Sequence, residues 1–143
     1  MGAATRYFIR RRGTDRLELS KTEDVDDVPQ VELFVVDVMV LERYLYGMFG
    51  DVIREDLGLL FLELPCSADD WASGYELSAT VRGYRTLSIV GGGPVAAAPD
   101  PTLSLVALVP LSHYLRWPIP DLKRSFLNSA GAPLLRHGRY ASA

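Results

Sequence analysis

Cys66, His113 and His137 are the residues whose types could do nucleophilic or metal chemistry, and their spacing argues against both. They lie far apart in the chain, with none of the short repeats that hold zinc. His113 sits in Leu-Ser-His-Tyr-Leu, inside an apolar helical pattern, so it reads as a packed or hydrogen-bonded core residue. Ser112 beside it is no nucleophile partner, because adjacent helical residues point about 100° apart. No Gly-x-Ser-x-Gly elbow is present. Cys66 reads as a half-buried, inert thiol. The alternative, a small enzyme or ligand-binding protein, needs Cys66, His113 and the Asp69/Asp70 pair to converge to about 3 Å around one pocket. His137, between Arg136 and Arg139, reads as solvated.

Other candidate positions suit binding better than catalysis. Asp69 and Asp70 follow Pro65 in a polar loop, where neighbouring carboxylates either form a solvated turn or cap, or hold a cation. Trp71 beside them pins its loop to the core or anchors a partner. Arg10-Arg11-Arg12 is a basic run at a strand end. Such a run discourages strand-on-strand aggregation, and Arg10 and Arg12 could also form a rim for an acidic partner surface. The segment from Glu23 to Asp27 offers the opposite charge. Gly91-Gly92-Gly93-Pro94 lacks the Gly-Lys-Ser/Thr ending of a phosphate loop and reads as a flexible turn.

The elements that must position these residues follow from periodicity. Residues 5–12 alternate as a strand, with Tyr7 and Ile9 on one face and Phe8 and Arg10 on the other. Gly13-Thr14-Asp15 turns the chain into a second strand over 16–20, completing a hairpin. Val31 to Val36 reads as a more central strand. From Asp37 a helix is expected, with Asp37 as N-cap and Gly58 as the glycine beyond its end. Leu41, Tyr44, Leu45, Met48, Phe49, Val52 and Ile53 form one apolar stripe, assigned to the core. Gly47 and Gly50 each cost about 1 kcal/mol against Ala inside a helix. Either another backbone packs there, or the helix breaks at Gly50 and restarts at Asp51.

Leu59 to Leu64 reads as a short strand ended by Pro65. A half-buried strand over 75–81 turns at Arg82-Gly83 into a strand over 84–90. Ala96 to Pro101 reads as loop after a short extended piece. A helical pattern over 103–116 contains Pro110, which should kink or divide it unless a helix starts near Leu108. Asp121 to Asn128 is a short helix, and a last strand is expected around Pro133-Leu134-Leu135. The order predicts an α+β fold: a mainly antiparallel sheet packed against one long helix, with shorter C-terminal helices, as a single domain over 1–143.

Length and composition agree with that size. The 143 residues can bury a core without disulfides or metal, and 48% apolar with 23% charged residues is the balance of a soluble protein. A net charge of −3 argues against nucleic acid as partner. The N-terminal apolar run is too short for a signal peptide, Met1-Gly2 lacks a myristoylation pattern, and no run approaches the ~20 apolar residues of a membrane span. With one cysteine, a reducing cytoplasm is expected.

Several strings, rather than any spacing, carry a resemblance. They are Arg6-Tyr7-Phe8-Ile9-Arg10, Val40-Leu-Glu-Arg-Tyr-Leu-Tyr-Gly-Met-Phe-Gly-Asp-Val-Ile-Arg54, Gly74-Tyr75-Glu-Leu, Leu111-Ser-His-Tyr-Leu115, Leu122-Lys-Arg-Ser-Phe-Leu127 and Gly131-Ala-Pro-Leu-Leu135. Over nearly its whole length the chain resembles actinobacterial immunity proteins related to the immunity factor for the tuberculosis necrotizing toxin. Members carry an additional N-terminal segment before the Arg-Tyr-Phe-Ile-Arg strand, where this chain almost begins. The resemblance implies a cytoplasmic antitoxin that binds and blocks the catalytic domain of a secreted NAD-glycohydrolase-type toxin. It also implies no catalysis, cofactor, metal or small-molecule substrate of its own. Arg10, Arg12, Asp69, Asp70 and Trp71 are the expected partner-binding residues, on physical grounds rather than family ones.

Overall fold

The computed structural model describes residues 5–23 and 28–142, so the expected acidic loop beyond Glu23 and the N-terminal Met1-Gly2 fall outside it. Among the described residues, six strands form one antiparallel sheet in the order β1-β2-β3-β6-β5-β4. They are β1 (Arg6–Arg12), β2 (Arg16–Thr22), β3 (Gln30–Val35), β4 (Tyr75–Leu77), β5 (Tyr84–Ile89) and β6 (Gly93–Pro99). Three helices, α1 (Val38–Asp56), α2 (Leu103–Tyr114) and α3 (Ile119–Leu127), and a small hairpin, β7 (Leu135–Arg136) and β8 (Arg139–Tyr140), complete the fold. This is the expected α+β arrangement, with one long helix and shorter C-terminal ones.

Cross-strand registers explain which sheet face is covered. Leu17 opposes Val35, Val35 opposes Ala96, and Ala96 opposes Leu87. That apolar row meets Leu108 and Leu111 of α2 in the core, with Leu122 and Phe126 of α3 beyond them. The opposite face carries the row Arg10, Glu18, Phe34, Ala97 and Thr86.

Two strand expectations fail for identifiable reasons. The alanine-rich run from Ala96 is the central strand β6, not loop. Its weak β-propensity is overridden because Ala96 and Ala98, both buried, are small enough for α2 to pack directly on β6. Residues 59–64 run as irregular chain instead of a strand. The Leu59 N–H donates to the Arg54 carbonyl and the Leu60 carbonyl accepts from Arg54 Nε, which ties the start of the segment to the end of α1 rather than to the sheet. The strand expected over 75–81 is regular only to Leu77, after which Val81 bridges Tyr84 around the Arg82-Gly83 turn. The helix over 103–116 is not divided: α2 runs through Pro110. The last expected strand is β7, two residues long.

The termini of α1 form as expected. Asp37 Oδ1 accepts from the Val40 N–H at 3.0 Å. Gly58 adopts φ +74°, its N–H donates to the Glu55 carbonyl, and the Leu59 N–H donates to that of Arg54. This pair of bonds is a Schellman closure.

The interior of α1 differs from both expectations for its glycines. The helix is unbroken, and rings rather than a backbone press on it. A Cβ on Gly47 would lie 2.4 Å from Tyr114 Cε2 of α2, and one on Gly50 would lie 2.5 Å from Phe126 Cγ of α3. The core-facing side therefore carries Val40, Leu41, Gly47, Gly50 and Arg54. The stripe assigned to the core is split: Leu41 is buried and Tyr44 and Leu45 pack against the core, whereas Phe49 is 44% exposed, Val52 54% and Ile53 46%.

Candidate functional site

Seating α1 on glycines leaves a groove along each of its sides. The first lies between β1, α1 and α3 and encloses about 540 Å³. Ile9, Leu45, Phe49, Ile53, Phe126 and Leu127 line it, and Glu42 and Lys123 are its charged members. Ile9 is 55% exposed and Leu127 47%. Tyr7 stands edge-on to Phe49 with ring centroids 6.0 Å apart, fixing that ring at the mouth. An apolar concavity of this kind, open to water, suits capture of an apolar side chain.

The second groove, about 780 Å³, lies between β3, α1, α2 and residues 61–66. It is polar. Lys21 Nζ lies 3.0 Å from Glu32 and 3.3 Å from Glu23, and the Tyr44 hydroxyl donates to Glu32 at 3.3 Å. The hydrogen bond to Glu32 holds the Lys21 ammonium above its usual range. Burial pushes up the phenols of Tyr44 and Tyr114, so both stay neutral. Asp51 Oδ1 is buried with no hydrogen-bond partner, and burial raises its carboxyl, opposed by the Leu62 amide and Arg54.

Neither groove assembles a catalytic set. Cys66 lines the polar groove, whereas His113 does not. His113 Nε2 lies 2.6 Å from the backbone carbonyl of Asp70 and its ring stacks on Tyr140 at 3.5 Å. Burial lowers the imidazole below its usual range, so it is neutral and donates from Nε2. The Asp70 carboxylate is engaged elsewhere, accepting from the Ser67 amide at 2.9 Å and its hydroxyl at 2.7 Å. No hydrogen bond joins Cys66, His113 and the carboxylate pair, so the convergence required of them is not formed, and His113 Nε2 is taken by the Asp70 backbone. Among the described residues no three His, Cys, Asp or Glu side chains are grouped to hold a metal. No described helix is long and apolar enough to cross a membrane.

The expected partner-binding residues divide between two places. Arg10 and Arg12 stand on β1, one edge strand of the sheet, where Arg12 Nε donates to Glu18 at 2.9 Å. Asp69, Asp70 and Trp71 lie in the loop leading to β4, the other edge strand. That loop is pinned by the Asp70 carbonyl on His113 and by the Ala72 N–H, which donates to Ser112 Oγ at 2.9 Å. Trp71 is half-buried and outside the group packed on the core. The grooves themselves escaped sequence reasoning. Their signal was available: Gly47, Gly50 and Arg54 share one helical face, which a continuous apolar stripe cannot also occupy.

Comparison with known proteins agrees with the resemblance in the sequence. Residues 1–134 match the family described as Immunity protein 61. The chain is 32% identical over 138 residues to the Immunity factor for TNT of Mycobacterium tuberculosis (strain ATCC 25618 / H37Rv). The same figures hold for the Immunity factor for TNT homolog of Mycobacterium bovis (strain BCG / Pasteur 1173P2). Each match covers 93% of this chain and 73% of the relative. The solved structure of Rv3902c from M. tuberculosis superposes with a TM-score of 0.77 at 29% identity, covering 91% of this chain and 72% of that one.

Proposed function

This chain belongs to the Immunity protein 61 family, and we propose from that premise that it is an antitoxin. It binds the catalytic domain of a secreted NAD-glycohydrolase-type toxin in the cytoplasm of the producing cell and blocks it until export. It acts by occupation, as one immunity-protein-like domain, without catalysis, cofactor or small-molecule substrate. The observation that supports binding over chemistry is the apolar groove between β1, α1 and α3, whose walls include half-exposed Ile9, Phe49, Ile53 and Leu127. Burying such side chains is a favourable source of association free energy, roughly 25 cal/mol per Å² before the losses of docking are counted. Arg10 and Arg12 border this groove's strand, and Asp69, Asp70 and Trp71 form a second candidate patch at the opposite edge.

The test is co-expression with candidate toxin domains encoded near this chain. A one-to-one complex and preserved cellular NAD⁺ are expected. Loss of NAD⁺ at the rate seen with toxin alone, together with no complex on size exclusion, refutes the reading.

A further inference from the structure

The β1 edge and the apolar groove beneath it meet along one strand, and their chemistries interleave. β1 ends the strand order, and among the described residues its register partners are all in β2. Side chains alternate along it. Tyr7 meets Phe49, and Ile9 lines the groove, so Arg11 points to the same side. Phe8, Arg10 and Arg12 point to the other side. The edge is basic although the whole chain carries −3: Arg10, Arg11 and Arg12 are consecutive and exposed, and exposed Arg16 follows across the turn.

We propose that the partner adds an extended segment to the outer edge of β1, carrying an apolar side chain next to a run of carboxylates. One apolar side chain seats in the groove beside Ile9, Phe49 and Ile53, and carboxylates lie opposite Arg10, Arg11 and Arg12. Backbone pairing supplies affinity and the side-chain contacts supply selectivity, the general logic of strand addition. Charge complementarity selects this occupant. A second copy of β1 would bring arginine against arginine, which is unfavourable for directly opposed residues. A nucleic acid would answer the arginines, but its sugar-phosphate backbone has no apolar side chain for the groove and meets an acidic protein overall.

The inference rests on the toxin-binding reading and names the surface that carries it. The experiment measures affinity for the candidate toxin domains encoded near this chain, with hydrogen exchange followed on β1. Wild type is expected to bind and to gain protection at β1 amides. Arg10→Glu with Arg11→Glu is expected to weaken binding about tenfold or more, chiefly through slower association and a flatter salt dependence. Ile53→Asp is expected to weaken it comparably at unchanged β1 charge, and Arg10→Lys with Arg11→Lys to retain most of it. Should the doubly reversed variant fail to fold, Arg11→Gln, a milder change at an exposed site, is read in its place. Binding that survives these variants, or β1 amides that exchange at the free rate in the complex, overturns the docking surface alone. Absence of binding by wild type overturns the toxin-binding reading and the surface with it.

Discussion

The two grooves beside α1 are made by one device but differ in lining: one is almost wholly apolar, the other mixed. Gly50 admits Phe126 of α3 and so sets the wall of the apolar groove; Gly47 admits Tyr114 of α2 and sets the wall of the polar one. On the apolar side the displaced side chains Phe49 and Ile53 have nothing to satisfy and remain available. On the polar side Glu32 is answered by Lys21 and Tyr44, and Tyr44 by Glu32. Polar groups already paired within the chain gain little from a partner, whereas exposed apolar walls gain by being covered, and the first groove is walled almost wholly by them. Size alone would rank the grooves the other way.

Arg54→Met tests whether both grooves depend on one anchor and carries the largest expected effect. The Arg54 side chain is 1% exposed and donates to the carbonyls of Leu60, Phe126, Asn128 and Ser129 at 2.6–3.1 Å. Its loss strands those acceptors, and urea denaturation should show destabilisation of about 3–5 kcal/mol. Gly47→Ala and Gly50→Ala come next and separate the grooves. Each new Cβ meets an aromatic ring rather than a flexible tip. Overpacking of about 1–3 kcal/mol should exceed the gain in helix propensity of about 1 kcal/mol. Thermal melting should rank both below wild type, and only Gly50→Ala should also impair toxin binding.

Smaller effects sharpen the contrast. Phe49→Ser should weaken toxin binding by about tenfold, or 1.4 kcal/mol, in calorimetric titration. Glu32→Gln, in the polar groove, should leave it within about twofold by the same rule. The least effect is one of pH. Asp51 is raised above its ordinary 3.8, so its charged form disfavours the fold at neutral pH and relief comes as pH falls through the raised value. Asp51→Asn should therefore raise the melting temperature near pH 7 and lose that advantage in acid. Glu18, on the opposite sheet face, behaves inversely: the Ser20 hydroxyl, then Arg12, hold it below its ordinary 4.5. Its contribution is full above 4.5 and disappears as pH falls through the lowered value, so Glu18→Gln should destabilise at pH 7 and flatten the acid limb.

What was legible in the chain depended on whether a local rule governed the element. The β1–β2 hairpin, the Asp37 cap and the Gly58 closure are local, and each formed as its residues dictate. β6 was hidden because alanine's preference is a property of the residue, whereas its place in the sheet is a property of α2 lying on it. The direction of α1 was hidden because periodicity counts side chains, and the face that packs most closely has none at Gly47 and Gly50. The same omission concealed both grooves, so the exposed charges of Arg10, Arg12, Asp69 and Asp70 were visible while the surface between α1 and β1 was not.

Arg54 also has a consequence in time. Its nearest acceptor, Leu60, lies 6 residues along, but the other three follow 72 to 75 residues later. A ribosome delivers them only after α2 has been made, the first with the last turn of α3 and the other two beyond it, at about 5–20 residues per second. Until then the guanidinium must stay in water, because burying it would leave a charge without enough partners. The nascent chain is thus kept from closing around α1 too soon, and a single side chain makes completion of the fold conditional on completion of synthesis through Ser129.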